Sequence, residues 1–188
     1  MNGRSIKLAT VAAVLCLLWV TSASTQNLII NGDFSSGLTG WTTTPTAPVT
    51  ITYDGAVGNP AGSALFARND STPPVTANGN YLYQVIPVAI GQCYQINADW
   101  KGDLLNGGAG RNWAEVFISF ASTASATPAT IVYKKATDGG PNDVPMPWNW
   151  ESVLLSPNDG TSPQDGVFIA TDNFMVVGFN LGRPRPVE

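Results

Sequence analysis

Two short alternations concentrate the groups that could do chemistry. In Tyr94-Gln95-Ile96-Asn97-Ala98-Asp99-Trp100-Lys101, polar groups take every second position; in Trp113-Ala114-Glu115-Val116-Phe117-Ile118, rings and a carboxylate do. Successive side chains of a strand point to opposite faces, so Gln95, Asn97 and Asp99 share one side of the first segment and Trp113, Glu115 and Phe117 one side of the second. The other sides carry Ile96, Ala98, Trp100 and Ala114, Val116, Ile118, an apolar set suited to a core. If the segments pair as a hairpin with those apolar sides together, Asp99 falls beside Trp113, Asn97 beside Glu115, and Gln95 beside Phe117. Rings among amides and carboxylates on an outward face suit a sugar, whose C–H face packs on a ring while fixed polar groups take its hydroxyls. A one-residue slip in register would scatter the arrangement. Two other readings stand at the same residues. Asp99 and Glu115 form a candidate acid/base pair for glycoside hydrolysis, on a face that excludes little water. Alternatively the rings pack under a loop, and Asp99, Lys101 and Glu115 are a solvated ion cluster of small energetic weight.

A second aromatic group, Trp148 and Trp150, differs in parity from Val153 and Leu155, so a bulge would be needed to bring all of them to one side of a strand. Tyr81 and Tyr83 share a face. Histidine is absent from the 188 residues, which excludes His-based nucleophile pairs, general bases and metal ligands.

The elements that must position these groups read as strands. No segment sustains a 3.6-residue period; short apolar alternations recur between clusters of Gly, Pro, Asn, Asp and Ser. Strands are expected at Leu28–Ile30, around Trp41, and at Val49–Tyr53, Ala64–Ala67, Tyr81–Val88 and Cys93–Lys101. Further ones are expected at Trp113–Phe120, Ile131–Lys134, Trp148–Leu155 and Phe174–Leu181. The breaks at 69–80, 138–147 and 156–166 carry turn chemistry, with a positive φ favoured at the Asn78-Gly79 step. The fold class implied is all-β: a two-sheet antiparallel β-sandwich or jelly roll.

Residues 1–24 read as a cleavable secretory signal peptide: Arg4 and Lys7, an apolar run from Leu8 to Val20, then small residues to Ser24. The run is short for a membrane span. Residues 25–182 are then one domain and 183–188 a tail, in a secreted, extracellular protein. Losing Arg4 and Lys7 takes the net charge from −4 to −6 and leaves seven basic residues. That balance argues against nucleic acid and anionic membranes as partners. Cys16 would leave with the leader, so no intrachain disulfide is expected. Cys93 reads as a small apolar residue opening a strand.

The run Asn27-Leu28-Ile29-Ile30-Asn31-Gly32-Asp33-Phe34, continuing to Trp41, resembles the start of jelly-roll carbohydrate-binding modules attached to bacterial glucanases and xylanases, members of the galactose-binding-domain-like superfamily. Tyr83–Val88, Gly91 with Tyr94–Lys101, and Trp150–Val153 are similar to later strands of that family. The resemblance implies a non-catalytic module for a polysaccharide of the β-glucan or xylan class, with a catalytic domain elsewhere on a full-length polypeptide. It implies a tight turn at Gly32 and core positions for Phe34 and Trp41. It also implies a structural calcium near Asp33, although Ser35 stands where an acidic residue is common. Phe174–Leu181 resembles the family's penultimate strand, which would leave the last strand missing and an exposed edge prone to association. On the other reading, Asp172-Asn173 is the closing pair and this strand is the last. Fold does not by itself identify a ligand. A structural or surface-assembly sandwich without a sugar site, and the amino-terminal part of a glycoside hydrolase, remain the alternatives.

Overall fold

A computed structural model describes residues 26–58, 60–68, 77–102, 112–128, 132–138, 149–155 and 167–183. Residues 1–25 and 184–188, Trp148, and most of the expected turn segments at 69–80, 138–147 and 156–166 lie outside them. The described residues hold ten strands and no helix: β1 (Thr42–Thr44), β2 (Val49–Gly58), β3 (Ala61–Arg68), β4 (Ala77–Pro87), β5 (Cys93–Trp100), β6 (Asn112–Ala121), β7 (Val132–Asp138), β8 (Glu151–Leu155), β9 (Val167–Ile169) and β10 (Phe174–Arg183). All pairings are antiparallel. One sheet has five strands in the order β1-β4-β10-β6-β7, another three in the order β8-β5-β9, and β2 and β3 form a two-stranded ribbon.

The all-β architecture is compatible with a sandwich, because the five- and three-stranded sheets share their core. Ile96 of β5 and Phe168 beside it pack with Ile86, Ile118, Met175 and Val177 of β4, β6 and β10. Trp100 packs with Val116, flanked by Ala98, Ala114 and Phe179. Each such side chain, fully buried, contributes about 1.5–3 kcal/mol of apolar transfer. β5 shows the one-sided pattern of a covered strand, with Ile96 and Trp100 buried and Gln95, Asn97 and Asp99 exposed. β4, β6 and β10 are buried on both faces, which is why their sequences run apolar with little alternation.

The expected β5–β6 hairpin does not form. β5 pairs with β8 and β9, and β6 with β10 and β7. The apolar sides do meet, but face to face across two sheets rather than edge to edge within one. β10 is interior to its sheet, bonded to β4 on one side and β6 on the other.

Leu28–Ile30 is not a strand. Its ladder partner is a side chain: Ile30 N–H donates to Gln84 Oε1 at 3.0 Å, and Gln84 Nε2 donates to Ile30 O at 2.7 Å. The chain then makes successive turns to Trp41. Asn31 ties them together, its Nδ2 donating to Gly37 O at 2.8 Å and Thr39 O at 3.0 Å while its Oδ1 accepts from Ser36 N–H at 3.0 Å. Left-handed backbone falls at Asn31 (φ 51°) and Phe34 (φ 55°), not at Gly32. For phenylalanine that conformation is costly. It is held by the stacking of Phe34 on Trp41, centroids 5.3 Å apart, with Trp41 in turn meeting Phe179 at 6.3 Å. Both rings are half-buried rather than core. Asn80, fully buried, links the next segment: it accepts from Thr46 N–H at 2.7 Å and donates to Leu181 O at 2.9 Å.

Cys93 is disulfide-bonded in the full 188-residue chain; the chain's other cysteine, Cys16, lies outside the described residues.

Candidate functional site

The face of the five-stranded sheet turned away from the shared core is assembled by register. Directly opposite residues on one face of an antiparallel pair are about 4.5–5.5 Å apart at Cβ. Thr44 stands opposite Tyr81, Tyr81 opposite Asn180, Asn180 opposite Glu115, and Glu115 opposite Lys135, a polar row crossing all five strands. One row further along lie Thr42, Tyr83, Gly178, Phe117 and Tyr133; on the other side Gly182 faces Trp113.

At the centre of the polar row, Asn180 Nδ2 donates to Glu115 Oε2 at 3.3 Å. Both side chains are buried, and Asn180 Oδ1 has no hydrogen-bond partner among the described residues. Tyr81 is half-buried and meets Phe117 edge-on, centroids 5.6 Å apart at 78°. Trp113 is half-buried against Gly182. The arrangement offers two rings flanking a carboxylate–amide pair, with the exposed Thr44 at one end.

The sequence-derived set is divided by this fold. Trp113 and Glu115 lie on this face, joined by Tyr81 and Asn180. Phe117 shares the face but is fully buried in a cluster with Tyr83, Val176 and Ala126, so it packs beneath a cover and lines nothing open. Gln95, Asn97 and Asp99 lie on the other sheet, on its outward side, because Ile96 and Trp100 between them point to the shared core. The two halves of the expected face therefore look out from opposite sides, and Asp99 and Glu115 do not form a carboxylate pair. Asp99 instead accepts a short hydrogen bond from Ser152 Oγ, and Lys101 Nζ sits 5.2 Å from the centroid of the Trp150 ring. β8 begins at Glu151, so Trp150 precedes the strand and its parity needs no bulge.

No family model, curated protein or solved structure matches the chain.

Asp33 is exposed, and its carboxylate accepts from Ser35 N–H at 3.1 Å and Ser35 Oγ at 2.9 Å. Those two bonds, the backbone one first, hold its pKa below the ordinary 3.8. Asp172 accepts from Asn173 N–H at 2.8 Å. Among the described residues no three acidic or cysteine side chains gather as metal ligands.

Asn180 and Gly182 escaped the sequence reading. Their signal was present: one amide and two glycines interrupt the otherwise apolar Phe174–Leu181 run and its end, and glycine inside a strand marks a close approach.

Proposed function

We propose that this chain is an exported, non-catalytic carbohydrate-binding domain of jelly-roll type. Its ligand is a polysaccharide of the β-glucan or xylan class, met by the half-buried rings of Tyr81 and Trp113 on the face of the five-stranded sheet turned away from the shared core, with the buried Glu115–Asn180 pair fixing the surface between them. The observation that carries the reading is the row in which Asn180 and Glu115 are hydrogen-bonded between half-buried aromatic residues. Aromatic faces accept the apolar side of a pyranose, and the buried amide–carboxylate pair holds the Trp113 strand in register with β10, which adjoins the Tyr81 strand. The net acidity and the resemblance of Asn27–Trp41 to glycan-binding modules support it further. Affinity should be modest, since a shallow site must order several side chains for each sugar held.

The test is retention of the purified domain on insoluble cellulose, xylan, β-glucan and chitin, with and without calcium. Retention on one polymer, competed by its own oligosaccharides, is expected. A folded, monomeric domain retained on none would leave the structural or surface-assembly reading in its place. Release of reducing sugar, lost in Glu115→Gln, would instead make it an enzyme.

A further inference from the structure

Gly182 of β10 stands opposite Trp113 of β6 in the ladder, at the end of the Asn180–Glu115 row. It is buried, while the tryptophan is half-buried. A Cβ added to Gly182 would fall within the indole itself, against Cζ2, Cε2 and Cη2. The ring therefore lies directly on the β10 main chain, lower than any side chain at 182 would let it lie. On the β6 side the ladder runs through to the Gly182–Trp113 pair, and on the β4 side Leu181 and Arg183 are paired across a register irregularity at Gly182. An added methyl would have to displace the ring, and the half-buried indole can move by swinging off the sheet.

We infer that Gly182 is a positioning residue: it seats the Trp113 indole against the sheet at the height from which the ring meets a sugar beside Glu115 and Asn180. The effect on affinity rests on the glycan-binding reading above; the seating of the ring does not.

The experiment pairs near-UV circular dichroism with glycan retention in Gly182→Ala, Trp113→Phe, Trp113→Ala and the double variants. Trp113→Phe identifies the spectral contribution of residue 113. Gly182→Ala should alter that same contribution and weaken retention about tenfold, the loss typical of a displaced aromatic anchor. In the Trp113→Ala background the same glycine substitution should add no further loss. Trp113→Phe with Gly182→Ala should bind better than Gly182→Ala alone, because the smaller ring clears the methyl. An unchanged spectrum in Gly182→Ala, or an equal loss of binding with Trp113 already removed, overturns the proposal. If Gly182→Ala fails to fold, recovery of folding by adding Trp113→Phe supports the seating and failure of both refutes it. If the unmodified domain binds no glycan, the functional reading falls alone, and the spectral comparison still decides the seating.

Discussion

Tyr81 and Asn97 separate the two faces that the alternation had joined. Tyr81 adjoins Asn180 and packs edge-on to Phe117, whereas Asn97 is exposed on the outward side of β5. If glycan lies along the Asn180–Glu115 row, Tyr81→Ala should weaken retention by about 1–2 kcal/mol, roughly tenfold. Asn97→Ala should leave retention unchanged. Affinity electrophoresis of both variants, with melting curves to confirm folding, checks this; the reverse ranking would move the site to the three-stranded sheet. A pH effect belongs to Asp33. Its folded-state pKa is depressed by the Ser35 bonds, so the stabilisation they give is present above 3.8 and lost as pH falls through the lower, folded value. The difference in melting temperature between the unmodified domain and Asp33→Ala should therefore be widest near neutrality and close below that range. A difference that grows on acidification would mean the carboxylate is not held this way.

At the level of elements, buried amides replace strand pairing along the amino-terminal segment. Gln84 gives Ile30 the two hydrogen bonds a neighbouring strand would have supplied. Gln84→Ala removes both and strands partly buried backbone groups, so denaturant unfolding should show a loss of about 2–3 kcal/mol. Amide exchange at Ile30 should rise before exchange in β10 does. This substitution by a side chain explains why Leu28–Ile30 resembled a strand in sequence: Leu28 and Ile29 pack on the Ile86–Ile118 cluster, but the ladder partner of Ile30 is Gln84. The two-residue period identified most strands and the shared faces within each, including the pair Tyr81 and Tyr83. It placed the expected positive φ correctly at Gly79, though inside β4 rather than in a turn. Periodicity carries no record of which strand lies alongside which. β5 and β6 were read as a hairpin because the partners of β5, β8 and β9, are distant in sequence. β9 escaped because Val167–Ile169 is too short to establish a period. Half of the site was legible for the same reason: Trp113 and Glu115 are neighbours within one strand, while Asn180 reaches them only through the β10–β6 ladder.

Across the whole molecule, export and the cysteine constrain each other. The chain has two cysteines, Cys16 and Cys93, and Cys93 is disulfide-bonded. If the proposed cut near Ser24 is made, Cys16 is lost and the exported domain cannot keep an intrachain bond. The fold around Cys93 has other supports. β5 is paired with β8 from Ile96 to Trp100 and with β9 from Cys93 to Gln95. Ala170 N–H also donates to Gln92 O at 2.9 Å, and Gly91 N–H to Ala170 O at 2.8 Å. Ile96 and Phe168 anchor both strands in the shared core. Loss of the leader should therefore leave the sheet intact. The expected product is a chain whose mass lacks residues 1–24, with one cysteine titrating under denaturing conditions and a melting temperature indifferent to reductant. Intact mass with thiol titration checks this on protein recovered outside the cell. A monomer that still contains Cys16, titrates no thiol and loses stability on reduction would mean that the bond at Cys93 is part of the working fold and that the leader is retained.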